Sequence, residues 1–471
     1  MKTWLNYFRE ISAIPRGSYK EAQIAQYLVD FANANNLSVI RDSAHNVFIR
    51  KKASAGYESA PAILLQGHTD MVCEKNGDVA HDFSTEGIRV IQDGDILRAE
   101  GTTLGADNGY AVALMMALLA DNTLQHPEME CLFTSAEEVG MDGMRAFDKT
   151  LLHSQRMLNV DSCEESCATA ACAGGVRTKL VRDNKAESCT DNAVRLTVKG
   201  LIGGHSGEDI SRGRANALKL CARILSQIPP EQNLRLIQMD GGSKDNAIPR
   251  ECTAMFTVND IAAVKDTLLS CADKIKRELS KDDANFLADI TTEPYDGSVL
   301  CAEDTIRTIA LLRTLPCGPL QMSHDIPGLV QTSSNTAIVH ASGARTEVTL
   351  SSRSSCETQL DDVCALVETN AALCGFTCTH SGRYPGWDFR RDSELQSIYL
   401  RSAKEVLGID ANIIGIHAGL ECGLLSHELP EMDMISIGPN MYDIHTPDER
   451  MSVSSGDRVY DLVVHMLASM K

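Results

Sequence analysis

Three short apolar runs in the N-terminal part of the chain each lead into residues able to bind a metal or move a proton. This pattern constrains the fold more than any other feature. Pro61–Gln66 runs into Gly67-His68-Thr69-Asp70, Met129–Phe133 into T-S-A-E-E-V-G with Glu137 and Glu138 adjacent, and Met157–Val160 into Asp161. Continuous apolar runs of this length, bounded by turn residues, read as inner strands of an α/β sheet. Open α/β sheets place their sites at the carboxyl edge of such strands. Successive strand residues point to opposite faces, so Glu137 and Glu138 aim in different directions, and one can bind a metal while the other faces a reacting water. Two carboxylates this close to a core require cations or other partners.

The rest of the chain supports α/β architecture with an insertion. Trp4, Tyr7, Phe8 and Ile11 form one helical stripe, and Ile24, Tyr27, Leu28 and Phe31 another. Residues 111–120 are apolar nearly all round and predict a buried helix, preceded by Leu104-Gly105-Ala106-Asp107-Asn108-Gly109. From about Asp191 the texture changes to alternating strands such as Val194–Val198 and Thr253–Val258, with amphipathic helices between them. This predicts a separate α+β domain over 191–384, inserted into a catalytic domain formed by 1–190 and 385–471. The insertion carries a repeated pattern, in which Asn246-Ala247-Ile248-Pro249 and Asn335-Thr336-Ala337-Ile338-Val339 each lead to a strand and then a helix. An internal duplication follows as an expectation. With 471 residues the chain is too long for a single core. Its formal charge of −20 argues against nucleic acid and anionic membrane as partners, since phosphate binding needs a basic surface. No apolar run is long enough to span a bilayer, and the N-terminus lacks a signal-peptide core. The 16 cysteines are scattered without a C-x-x-C, which reads as reduced cytosolic thiols.

The chemistry lies in five scattered pieces: His68-Thr69-Asp70, Asp107, Glu137-Glu138, Asp161, and His445 in Y-D-I-H-T-P. Each alone has an ordinary reading: a strand-end histidine, a helix N-cap, a pair of exposed loop carboxylates, a turn, a loop histidine. Together they supply two imidazoles and three carboxylates as ligands, a mixed nitrogen and oxygen set suited to zinc, manganese or cobalt. Asp70 and Glu137 remain as non-ligands.

Taken in order, G-H-T-D-M-V, T-L-G-A-D-N-G, T-S-A-E-E-V-G, N-V-D-S, G-G-H-S-G and the late histidine resemble the M20 dinuclear metallopeptidases. Within that family the chain is most similar to the aminoacyl-histidine dipeptidase branch, the carnosine-splitting type. The resemblance extends to G-R-Y-P-G-W at 382–387 and H-A-G-L-E-C-G at 417–423. It implies an α/β/α catalytic domain with an α+β lid and two divalent metal ions, zinc first, with manganese or cobalt as alternatives. By similarity Asp107 bridges the ions, His68 and Asp161 complete one site, and Glu138 and His445 the other. Glu137 becomes the base that takes a proton from water and hands it to the leaving amine. Asp70 holds the other nitrogen of His68. His205, in G-G-H-S-G, matches the family's oxyanion-stabilising histidine, Asn246 and Arg353 match groups that grip a short peptide, and His417 and Glu421 fall in the substrate loop. The implied protein is a cytosolic dipeptidase cleaving before histidine, acting on short peptides. Its lid covers its own site, or His205 comes from the second subunit of a homodimer. The alternatives are an amidase or deacylase, an aminopeptidase on longer peptides, and a catalytically dead peptide-binding relative.

Overall fold

Residues 3–471 are described by a computed structural model, and their contacts divide the chain into two compact units. The first comprises Met1–Ala171, Trp387–Gly415 and Leu420–Lys471, and the second Cys172–Gly386 with Ile416–Gly419.

The first unit is built on a mixed eight-stranded sheet. Its centre is four parallel neighbours, Met129–Thr134, Ile63–His68, Arg156–Asn159 and Asp433–Ser436. All four have only buried residues, as the apolar runs require. Because they run parallel, His68, the Glu137-Glu138 turn and Asp161 emerge at one edge. Val47–Lys51 and Ser38–Arg41 extend the sheet antiparallel beyond Met129–Thr134. Helix Ala106–Ala120 has a buried side chain at almost every position and belongs to the same core as Phe8, Ile63, Leu65 and Leu462. Gly67 lets this helix approach the sheet, since a Cβ there would lie 2.5 Å from the Cβ of Ala111. The regular helix starts late, because Asp107 and Asn108 have non-helical dihedrals.

The second unit is a nine-stranded sheet with helices. Strands Gly174–Asp183 and Ala186–Lys199 follow one another in sequence, and each becomes the middle of a triplet. Cys252–Thr257, helix Ile261–Glu278 and Leu287–Leu300 straddle Ala186–Lys199. Arg345–Ser354, helix Glu357–Leu373 and Thr377–Tyr384 straddle Gly174–Asp183. The halves join where Arg235–Gly241 pairs with Val330–Ala341, so the order of elements repeats across the sheet. Each helix buries one stripe, Val264, Leu268, Ala272 and Ile275 in the first, Leu360, Val363, Val367 and Ala371 in the second.

The structure differs from the sequence reading at the first boundary, placed at 190/191 there and at 171/172 by the contacts. Strand Gly174–Asp183 already pairs within the second sheet, its Arg177 and Lys179 exposed and Thr178 and Leu180 buried. Residues 416–419 also group with the second unit, carrying His417 with them. The hairpin Val90–Asp93 and Ile96–Ala99, which pairs on with Arg450–Ser452 and Met441–Tyr442, went unread because its strands are so short.

Candidate metal centre

Asp107 organises the edge of the first sheet. Its Oδ1 lies 3.1 Å from His68 Nε2 and its Oδ2 3.2 Å from His445 Nε2, one oxygen to each imidazole. Asp161 Oδ1 lies 3.7 Å from the same His68 nitrogen, and Glu138 Oε2 lies 3.1 Å from His445 Nε2. Two groups with mutually close donor atoms result, His68–Asp107–Asp161 and Asp107–Glu138–His445, sharing Asp107. His445 adopts a left-handed φ of 63°, as does Asp443 at 52°, a conformation non-glycine residues rarely take.

Asp70 ties the pieces together. Its Oδ1 is 3.3 Å from His68 Nδ1, which leaves Nε2 turned to Asp107 and Asp161. The same carboxylate accepts the amides of Glu137 at 3.0 Å and Glu138 at 3.3 Å, and the Ser18 hydroxyl at 2.8 Å. Ala136, at a left-handed φ of 49°, turns the chain into the glutamate pair, and its amide donates to buried Glu21.

Five carboxylates and two imidazoles in so small a volume leave negative charge in excess. Burial pulls His68 down, but Asp107 and Asp70 more than offset it and hold the ring well above the ordinary histidine value. Bonds to Asp107 and Glu138 push His445 up to about 10. Burial raises Asp107, yet its bonds to His445 and His68 carry it far below the usual carboxylate range. Burial drives Asp161 well above that range, and it pushes Glu137 up to about 8 against the pull of His68. Without metal the two imidazoles serve as the cations. Buried Glu138 Oε1 has no hydrogen-bond partner, an orphan acceptor aligned with the demand for a cation. The donor set and this orphan oxygen fit a pair of divalent ions. A third group, His68–Glu137–Glu138, brings Glu137 up against the same ligands, and a fourth, Glu128–Glu130–His153, has an ordinary explanation: Glu130 is saturated by Arg50, Ser154 and the amide of His153.

His205, Asn246, Arg353 and His417 belong to the second unit. His205 pairs with Ala247 across a two-residue ladder, and the Asn246 carbonyl accepts the amide of Ser206 at 2.8 Å. The Glu208 amide donates to His205 Nδ1 at 3.2 Å, which fixes the proton of the neutral ring on Nε2 and leaves that N–H available. Burial and then Arg353 lower the His205 pKa. Arg353 donates to the Tyr384 hydroxyl at 3.0 Å, and its buried Nε lacks a partner. His417 Nε2 meets Ser333 Oγ at 2.7 Å, and burial pushes the ring down to about 3, so it is neutral. Glu421 departs from a substrate-contact reading. It is fully buried in the first unit, where its Oε2 accepts Gln66 Nε2 and the Thr134 hydroxyl. Tyr384 and Ser333, which orient Arg353 and His417, were not singled out from sequence, although Tyr384 lies in the G-R-Y-P-G-W stretch.

Two side-chain groups able to hold metal, sharing one carboxylate at the carboxyl edge of an α/β sheet, are what a dinuclear metallohydrolase requires. The chain belongs to peptidase family M20/M25/M40, which it matches over residues 64–469, and is thus a hydrolase of peptides. It is 36% identical over 464 residues to the cytosol non-specific dipeptidase of Escherichia coli, covering 98% of this chain and 96% of the relative. The crystal structure of aminoacylhistidine dipeptidase from Vibrio alginolyticus superposes with a TM-score of 0.94 at 35% identity, covering 99% and 96% of the two chains. An M20 metallo-carboxypeptidase from Sulfolobus solfataricus, 15% identical with a TM-score of 0.55 and 99% coverage of both chains, shares the fold.

Proposed function

We propose that this protein is a cytosolic, dinuclear metal-dependent dipeptidase whose substrates include Xaa-His dipeptides. The observation that carries the reading is the division of Asp107, one carboxylate oxygen to His68 and the other to His445, in a chain of this family. His68 and Asp161 would hold one ion, Glu138 and His445 the other, with Asp107 between them; zinc suits this set, as do manganese and cobalt. When bound, the ions supply Lewis acidity to a water molecule and to the peptide carbonyl.

The chain's own residues do the rest. Glu137, outside the proposed ligand set and beside it, takes in its ionised form the proton of the attacking water and returns it to the leaving amine. Asp70 keeps the His68 ring in one tautomer and holds the amides of both glutamates. The second unit acts as the lid. Its His205 Nε2–H donates to the carbonyl oxygen as charge develops there. Arg353, backed by Tyr384, takes the terminal carboxylate and Asn246 the peptide backbone, with neutral His417 in the same unit. His205 is supplied by the same chain or by the partner in a homodimer. Mixing inactive His205→Ala with inactive Glu137→Gln distinguishes these, since activity returns in mixed dimers only if His205 acts across subunits.

A panel of dipeptides, acylated amino acids and longer peptides, each assayed with zinc, manganese and cobalt, tests the reading. Hydrolysis of Xaa-His dipeptides that stops on chelation is expected. The similarity to a relative named non-specific favours cleavage of other dipeptides as well. Turnover confined to acylated amino acids or to longer peptides would overturn it.

A further inference from the structure

The turn that presents Asp107 is held by two buried charged residues from opposite ends of the chain. Glu449 is 2% exposed. Its Oε2 accepts the amides of Leu104 at 2.7 Å and Gly105 at 2.9 Å, and its Oε1 those of Ala106 at 2.8 Å and Asp107 at 3.2 Å. Arg16, also 2% exposed, donates from Nη2 to the Gly105 carbonyl at 2.5 Å. From Nη1 it reaches the carbonyls of Thr69 at 2.9 Å and Asp70 at 3.2 Å. Gly105 has a left-handed φ of 67°, and a Cβ there would lie 2.5 Å from Arg16 Nη2, so glycine admits the guanidinium to the backbone.

This grip exceeds what a helix start needs. A serine or aspartate cap usually satisfies one or two amides, whereas here four amides converge on one carboxylate and use both its oxygens. Glu449 stands four residues after His445, in a turn closed by its own amide on the Thr446 carbonyl at 3.1 Å. It therefore joins the His445 loop to the Asp107 turn. Arg16 joins the same turn to the segment following His68. Asp107 meets His68 with one oxygen and His445 with the other, so both of its distances pass through this pair.

We propose that Arg16 and Glu449 are positioning residues, which lock the Asp107 turn between the His68 and His445 segments and hold the ligand geometry before any ion arrives. The proposal rests on the metal-centre reading above. Glu449→Gln keeps the shape but replaces one acceptor oxygen by an NH2 group facing two amides. Arg16→Lys keeps the charge but loses the planar fork that spans three carbonyls.

The test measures metal affinity of folded protein by chelator competition with zinc, alongside the melting temperature of the metal-free form. Wild type should bind two ions. Both variants should remain folded at the assay temperature and bind zinc about 10–100-fold more weakly, the usual cost of disturbing groups that orient ligands. Glu449→Asp, which keeps the acceptors one methylene short, should fall between. A residue that only supports the fold would lower the melting temperature and leave the affinity of the folded protein unchanged. Wild-type affinity in folded Glu449→Gln or Arg16→Lys overturns the proposal. If Glu449→Gln does not fold, Glu449→Asp and Arg16→Lys decide it by the same titration, and failure of all three to fold assigns the pair to folding and overturns it too. A wild-type chain that binds no ion would instead defeat the metal-centre reading.

Discussion

Metal uptake should release protons and strengthen steeply with pH. The His445 imidazole, ordinarily near 6.5, is pushed up to about 10 by its bonds to Asp107 and Glu138. At pH 7 it carries a proton that an arriving cation must displace. Each displaced proton makes apparent affinity rise about tenfold per pH unit below that pKa, so binding at pH 7 is weaker than at higher pH. His68 is raised as well, which adds its own proton at the other site. Zinc affinity measured against a chelator of known pH dependence, from pH 6.5 to 8.5, gives the slope. Calorimetry in buffers of different ionisation heat counts the protons. At least one proton per ion and a slope of at least tenfold per unit are expected, because Asp161, raised by burial, adds to the release at the His68 site. For the metal-free protein the sign is opposite. Because the folded pKa lies above the unfolded one, the stabilisation from His445 is present in full below about pH 6.5 and is lost as pH rises through about 10. Flat affinity over this range with no proton release, in protein that does bind metal, would refute the reasoning.

Other outcomes follow from the same geometry. Glu137→Gln should keep both ions and lower kcat by about 10²–10⁴, while Glu138→Gln should lose an ion; metal content of the two variants separates these roles, and the reverse result would exchange them. His205→Ala should leave metal content and folding unchanged and lower kcat by about 10²–10³, with little change in KM; near wild-type kcat would remove it from the reaction. Gly67→Ala should force helix Ala106–Ala120 away from the sheet, since the new Cβ would lie 2.5 Å from that of Ala111. A loss of about 1–3 kcal/mol is expected, read as a lower urea midpoint.

Much of the fold was legible because its signals are local. The runs at 61–66, 129–133 and 157–160 are short and mostly apolar, as strands covered on both faces are, and parallel packing then puts their ends on one edge. His68, Glu138, Asp161 and His445 could be picked as residues of the right chemistry at strand ends and loops. That Asp107 lies between the two histidines depends on contacts across 39 and 338 residues of chain, which no local pattern encodes. Arg16 and Glu449 were invisible for a stronger reason, since their partners are backbone atoms far away in sequence and carry no side-chain signature. Glu421 misled because H-A-G-L-E-C-G resembles a loop, while Gln66 and Thr134 draw its carboxylate into the interior. The boundary near 171 was missed because Cys167–Cys172 and Gly174–Asp183 are consecutive strands in different sheets, with no linker to mark the change.

Elemental analysis of the purified protein, coupled to an assay of Xaa-His hydrolysis, tests the central claim most directly. Two divalent ions per chain are predicted, with activity lost as the ions are removed by a chelator and regained as they are restored. Full hydrolytic activity in protein shown to be free of metal would contradict it.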